Sequence, residues 1–385
     1  SMMAARQPGR QLKTFSIGFA EDGYDELEHA RKVAKAFGTD HHELVLKPDV
    51  VSIVEELAWY LDEPFGDTSA IPTFMVSELA SEHVKVVLTG EGADELFLGY
   101  DLFKEVAVRQ FCLRHPESQS RQRLFDRLYP YLAQAGKGGE FWRKFFLEAG
   151  TPKDPLFSHM PRFLLSARIK DFYAPEFRRS LGELDVVGEL RSSLPTRFYG
   201  WSSLNRAAYL EMTTLLSTYL LSSQGDRMAM AHGVEGRFPF LDHRLFEFSA
   251  ALPTSSRLLG LREKEILRRW AKRVLPPRIS TRGKQPYRAP DAPSFFAPGA
   301  PDWIADELSN ESIRRVGIFS TAAVDGLVRR CRAGAVTGFR ENQAIVGILS
   351  TQVWHRQFVE GSHNIAPLPV SGASLMFGDS VPAFS

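Results

Sequence analysis

The segment Thr14-Phe15-Ser16-Ile17-Gly18-Phe19 places Phe15, Ile17 and Phe19 on one face at a period of two, which predicts a strand. Asp25-Glu26-Leu27-Glu28 has the spacing of a capping box, and Leu27, Ala30, Val33, Ala34 and Phe37 then recur at helical spacing as far as Gly38. A helix of about three turns is expected there, stopped by the glycine. His42 to Leu46 predicts a second short strand, Val51 to Leu61 a second helix, and Pro72 to Glu82 a third that opens on a proline suited to a first helical turn. Val84-Lys85-Val86-Val87-Leu88 is nearly continuous in apolar residues, the pattern of a strand buried on both faces of a parallel sheet.

From about Asp101 the strand signals fade and long amphipathic stretches take over. They carry Phe103, Phe111, Phe125, Tyr129, Phe141, Trp142, Phe145 and Phe146, aromatics spaced as packing surface and assigned no chemistry. Gly283 to Pro301 holds prolines at 286, 290, 293, 298 and 301 and predicts an irregular surface loop. From Gly361 onward there is no Lys or Arg and much Gly, Ser, Ala and Pro, so a disordered tail is expected over 361–385. The organisation read from these patterns is an α/β part over 1–100 and a mostly helical part over 101–360, followed by the tail.

Composition narrows the class. The 385 residues are 44% hydrophobic and 24% charged, ordinary globular values. Forty-seven Lys and Arg against 46 Asp and Glu leave a net charge of +1, so no global basic field favours nucleic acid or an anionic membrane. Cys112 and Cys331 are too few and too far apart for a disulfide framework or a zinc site, which points to a reducing compartment. No apolar run reaches membrane-span length, and the first residues lack the pattern of a signal peptide. A cytoplasmic protein is expected.

Chemistry concentrates in Leu88-Thr89-Gly90-Glu91-Gly92-Ala93-Asp94-Glu95-Leu96-Phe97-Leu98-Gly99-Tyr100, directly after the apolar strand. Ligands of open parallel sheets bind at the carboxyl ends of strands, and glycines there let backbone approach closely. A helix starting near Gly92 puts Glu91, Asp94 and Glu95 around one helix start. Complementing the helix dipole accounts for them. So does magnesium, which is held by one or two carboxylates plus substrate phosphates.

This stretch resembles the SGDGGDE-F-GY signature of the asparagine synthetase family. Other segments of that family's pyrophosphate-loop synthetase domain accompany it in order. They are the Thr14 to Phe19 strand, Tyr24-Asp25-Glu26, Gly38-Thr39-Asp40-His41-His42-Glu43, Asp62-Glu63-Pro64-Phe65-Gly66-Asp67-Thr68-Ser69-Ala70-Ile71-Pro72, Asp226 to Glu235 and Arg237-Phe238-Pro239-Phe240-Leu241-Asp242. The resemblance runs from Ser1 to about Arg356 and implies an α/β fold. Its parallel sheet is of the adenine nucleotide alpha hydrolase-like, pyrophosphate-loop type, followed by a large helical region.

The resemblance implies roles residue by residue. Ile17, Thr89 and Gly90 match positions whose backbone holds the adenosine of ATP. Asp94 matches a Mg2+ ligand, and Glu91 the acidic residue that serves acyl-adenylate formation and ammonia attack. Lys284 matches a lysine that neutralises charge on departing pyrophosphate. Lys264 matches a family lysine on a helix, and fits equally a solvated helix residue. Asp226, Arg227, Glu235 and Arg237 form either an ion-pair network or the lining of the acceptor pocket. His41 and His42 face opposite ways on a strand and cannot share a metal, and His232 is expected to pack or hydrogen-bond.

Two parts of a complete family member find no counterpart here: a glutaminase domain with a terminal cysteine nucleophile, and the SGGxDSS loop with its strand. Ser1-Met2-Met3-Ala4-Ala5 resembles the last serine of that loop and the helix after it, so the chain is expected to start just past the loop. The missing strand would sit mid-sheet, leaving its neighbours without a partner. The implied activity is ATP-dependent amidation of aspartate to asparagine through β-aspartyl-AMP. Ammonia would come from glutamine by way of an upstream glutaminase domain, and a homodimer is compatible with this reading. The alternatives are a β-lactam synthetase-like or other carboxylate-amidating relative, and an inactive fragment.

Overall fold

The computed structural model describes residues 2–19, 27–46, 51, 53–128, 139–281, 292–297, 299–336 and 339–361. Lys284, Tyr24-Asp25-Glu26, most of the proline-rich stretch and the segment after Gly361 lie outside the described residues.

A short helix α1 (Met2–Arg6) leads into β1 (Lys13–Phe19), α2 (Leu27–Phe37) and β2 (Asp40–Leu46). The two strands pair in parallel, from Lys13 opposite Asp40 to Phe19 opposite Leu46. Parallel strands need a crossover, and α2 supplies it, ending where Gly38 takes a φ of 61°. Next come α3 (Val54–Leu61) and α4 (Ala70–Ser81), each close to the predicted bounds. Pro72 sits in the first turn of α4, which packs on both β1 and β2.

The chain continues through β3 (Val86–Leu88), α5 (Ala93–Leu96) and α6 (Asp101–Leu113). Among the later elements, α7 (Ser203–Glu211) runs directly into a wide π-helical stretch, Met212–Arg227, and then α8 (Met228–Met230). Gly225 suits this geometry, because a Cβ there would lie 2.7 Å from the Leu220 carbonyl oxygen. Then comes β4 (Glu235–Arg237), which pairs in parallel with β3 in the register Val86 to Glu235 and Leu88 to Arg237. Further on are α9 (Glu265–Ala271) and α10 (Phe339–Trp354).

Among the described residues β1–β2 and β3–β4 are two separate ladders. Helix α8 packs against both α4 and β4 and so ties one ladder to the other. One expectation is corrected here. Val86 is 40% and Leu88 46% exposed, so β3 is not buried on both faces. Its only strand partner among the described residues is β4, and an apolar run is covered only where another element lies over it.

The largest core joins the two ends of the chain. Leu57, Leu61, Phe65, Ile71 and Phe74 pack in one cluster with Leu327, Ile345, Ile348, Leu349 and Val353, and Ile17 packs against it. In the helical part the fully buried Arg109 donates to the carbonyl oxygens of Phe146 at 2.8 Å and Phe157 at 2.7 Å, and to that of Ala149. Phe103, Phe125 and Phe146 are core residues as expected, whereas Phe111 and Phe141 are largely exposed. Both cysteines are buried and free. No helix among the described residues is long and apolar enough to cross a membrane.

Candidate active site

The loop after β3 is built by backbone geometry. Thr89 N–H donates to the Arg237 carbonyl at 3.0 Å, continuing the β3–β4 ladder by one bond. The chain then turns at Gly92, whose φ of 88° is left-handed, and α5 begins at Ala93. A Cβ on Gly92 would lie 2.2 Å from Leu241 Cδ2, so this turn is seated directly on the Phe238–Leu241 segment. Leu98, fully buried, also has a left-handed φ of 56°, an uncommon conformation for a side chain of that shape. Gly99 N–H closes the turn onto the Asp94 carbonyl at 2.7 Å.

The three carboxylates of this loop do not converge. Glu91, partly exposed, accepts from the Thr89 hydroxyl. Asp94 Oδ2 accepts from Lys264 Nζ at 2.9 Å. Glu95 is buried and accepts from the Tyr100 hydroxyl at 2.7 Å. Burial pushes the Glu95 carboxyl above its ordinary value, and burial followed by the charge of Glu95 pushes the Tyr100 phenol up as well. Among the described residues no group of three His, Cys, Asp or Glu side chains could hold a metal ion. Each of the three carboxylates grouped at this helix start thus takes its own partner, and two of those partners lie in the loop itself.

Lys264 reaches Asp94 across 170 positions of sequence because its own backbone is pinned. Its N–H donates to the Phe97 carbonyl at 3.2 Å and its φ is 52°, left-handed, just before α9. The close approach depends on Gly99, where a Cβ would lie 2.1 Å from Asp94 Oδ1 and 2.2 Å from Lys264 Cε. Next to Lys264, Glu263 is buried and pairs with Lys104 at 2.9 Å and with Arg268, and Lys104 also reaches Asp101 at 2.9 Å.

A separate polar network lies in the segment before α4. Asp67 accepts from Ser69 N–H at 2.9 Å and from the Ser69 hydroxyl at 2.8 Å, and that hydroxyl lies 3.4 Å from the Tyr219 hydroxyl. Gln224 donates to the Ser69 carbonyl at 3.4 Å, and the Ser223 hydroxyl donates to Glu63. These bonds fasten the segment to the π-helical stretch that ends in Asp226 and Arg227. Asp226 is exposed, and its Oδ1 would lie 3.8 Å from a Cβ placed on Gly236 of β4. Arg227 Nη1 is buried without a hydrogen-bond partner among the described residues.

The remaining candidates fall as follows. Glu235 and Arg237 pair with each other at 2.7 Å on an exposed face of β4. Ile17 lies on β1 opposite Leu44, in the other ladder. His41 faces Thr14 and Glu43, while His42 stacks on Phe15 and lies against His83, with ring centroids 3.9 Å apart. His232 meets the Phe74 ring edge-on at 4.3 Å. Sequence reading passed over Gly99, Leu98, Lys104, Glu263 and Tyr219. Gly99 alone left a signal, as part of the glycine-punctuated loop.

A family profile described as asparagine synthase matches residues 1–356. A Mycobacterium bovis protein, provisionally named as a glutamine-hydrolyzing asparagine synthetase, is 28% identical over 361 residues, covering 93% of this chain and 52% of that protein. Bacillus subtilis asparagine synthetase (glutamine-hydrolyzing) 1 is 27% identical over 307 residues, covering 79% of this chain and 45% of that protein. Penicillium rubens amidase chyE is 28% identical over 337 residues, covering 83% and 49%. The chain spans about half the length of the curated relatives it matches. On the match over residues 1–356, the chain belongs to the asparagine synthase family.

Proposed function

We propose that this chain is the synthetase part of a glutamine-hydrolysing asparagine synthetase, with a pyrophosphate-loop type of nucleotide-binding fold. In this reading an oxygen of the aspartate side-chain carboxylate attacks the α-phosphorus of ATP. The bond to the β-phosphate breaks, pyrophosphate leaves, and ammonia then displaces AMP from the β-aspartyl-AMP to give asparagine. Ammonia would come from a glutaminase domain. The observation that carries the proposal is the glycine-rich loop at the carboxyl end of β3, which holds Glu91 and Asp94 in a chain matched to this family over most of its length.

Backbone groups of Ile17, Thr89 and Gly90 would hold adenosine. Asp94 would hold magnesium, which when bound offsets negative charge on the phosphates; one carboxylate suffices where phosphates supply other ligands, and Asp94 is only partly buried. Lys264, already 2.9 Å from Asp94, would share that carboxylate. Lys284 would meet the departing pyrophosphate. Arg227 suits the acceptor's carboxylate, since its buried Nη1 lacks a partner among the described residues, and Asp226, Glu235 and Arg237 would border that pocket. A cytoplasmic, homodimeric enzyme fits this reading.

Glu91→Gln tests the role of the carboxylate in the full-length gene product. The change keeps the volume and removes charge and basicity, so amide formation should be lost while urea unfolding stays as in wild type. Wild-type turnover would reduce Glu91 to a helix-start carboxylate.

A further inference from the structure

Away from the loop after β3, a cleft of about 410 Å3 opens between Pro64–Gly66, the stretch around Ile169 and Tyr173, Phe319 and helix α10. That volume lies within the range of small-molecule pockets. One stripe of α10 faces it: Arg340, Gln343, Gly347 and Thr351, at helical spacing. The opposite stripe, with Ile345, Ile348, Leu349 and Val353, is locked into the main core. Phe65, Tyr173 and Phe319 give the cleft aromatic walls.

The wall at Phe65 is rigid. Its N–H donates to the Ser350 hydroxyl at 3.0 Å, and that hydroxyl donates back to the Phe65 carbonyl at 2.6 Å. On the floor, Gly347 leaves space, because a Cβ there would meet nothing nearer than Ile169 Cδ1 at 3.9 Å. The cleft is thus shaped before any ligand enters, which lowers the ordering cost of binding.

Among the described residues Arg340 is the one charged residue lining this cleft, and its charge is poorly answered. Asp171, the carboxylate nearest to it among the described residues, lies 3.8 Å away, beyond hydrogen-bond reach. Its Nε is buried with no hydrogen-bond partner among the described residues. Its Cζ lies 5.7 Å from the centre of the Phe172 ring. Nearby Arg330 contrasts with it, held by Glu341 at 2.7 Å. The accessible part of a guanidinium with no hydrogen-bonded carboxylate among the described residues favours a planar, two-oxygen acceptor. A single cation among aromatic walls suits one carboxylate on a flat apolar body.

We propose that this cleft is a second small-molecule site, separate from the loop after β3, which takes an aromatic monocarboxylate with its carboxylate on Arg340. The test uses phenylpropanoate as probe and phenylpropanol as its uncharged counterpart, titrated into the full-length gene product by saturation-transfer NMR. Phenylpropanoate should bind saturably at or below about 1 mM, with the alcohol weaker by about tenfold or more. Arg340→Gln should weaken phenylpropanoate by a similar factor, while Gly347→Leu fills the floor and should abolish binding. Gln343→Trp serves as a second filling variant should Gly347→Leu fail to fold. Saturating ATP and aspartate should not displace the probe, and Asp94→Asn should leave it bound. Absence of saturable binding, displacement by ATP and aspartate, equal binding of the alcohol, tighter binding of inorganic phosphate, or binding unchanged by Arg340→Gln would each overturn the proposal.

Discussion

The three glycines of the loop after β3 face different surroundings, so alanine at each should carry a different cost. At Gly99 the new Cβ would lie 2.1 Å from Asp94 Oδ1 and 2.2 Å from Lys264 Cε, well inside the roughly 3.5 Å at which such atoms normally touch. Both obstacles are side-chain ends, so they can swing aside, but only by giving up their 2.9 Å ion pair. That pair is about a quarter exposed on each side and is itself worth about 1 kcal/mol or less after screening. Overpacking in this buried position adds about 1–3 kcal/mol. Gly99→Ala should therefore cost about 1–3 kcal/mol and move the Asp94 carboxylate. Gly92→Ala meets Leu241 at 2.2 Å and must hold a φ of 88°, so about 2–4 kcal/mol is expected. At Gly90 nothing lies within 4 Å of the new Cβ and φ is not left-handed, so the change should stay within about 0.5 kcal/mol. Urea unfolding followed by tryptophan fluorescence gives the three values on one scale. A Gly99→Ala variant as stable as wild type, or a Gly90→Ala variant less stable than the other two, would refute the placement of these side chains.

Glu95 supplies a pH test. Burial raises its carboxyl in the folded chain, so the native state keeps a proton that the unfolded chain, near its ordinary value of 4.5, has released. Native stability should then fall as pH rises from 4.5 through the raised native value, with the whole penalty present above it. Glu95→Gln lacks the penalty, so its stability relative to wild type should be most favourable at neutral pH, decline as pH falls from the raised native value to 4.5, and level off below that; a difference independent of pH in urea unfolding would contradict this. Arg109→Met removes the donors to Phe146, Ala149 and Phe157 and leaves Glu105 buried without its 3.3 Å partner. A loss of about 3–5 kcal/mol is expected from the same unfolding measurement, and a loss under about 1 kcal/mol would show that the buried guanidinium is not a structural tie.

What the sequence made legible was local. Phe15, Ile17 and Phe19 announced β1 through their period, and Gly38 announced the end of α2, because strand faces and helix stops depend on neighbours a few residues away. The run Val84 to Leu88 announced a strand but not its exposure, since an apolar residue is covered only if another element is laid over it. The same limit applies to the site. Clustering of Glu91, Asp94 and Glu95 was readable from spacing, while their division among Thr89, Lys264 and Tyr100 was not. Spacing places carboxylates along the chain, whereas partners are chosen in three dimensions. Lys264, 170 positions from Asp94, and Arg340, 3.8 Å from its nearest described carboxylate, leave no local pattern to read.

The central claim is that this chain's site activates a carboxylate by adenylation, and exchange of labelled pyrophosphate into ATP tests it most directly. The full-length gene product should incorporate label into ATP when magnesium and aspartate are both present, and should not when aspartate is left out. Exchange that proceeds without any carboxylic acid, or only with an acid other than aspartate, would contradict the asparagine assignment, and no exchange with any acid would contradict adenylation itself.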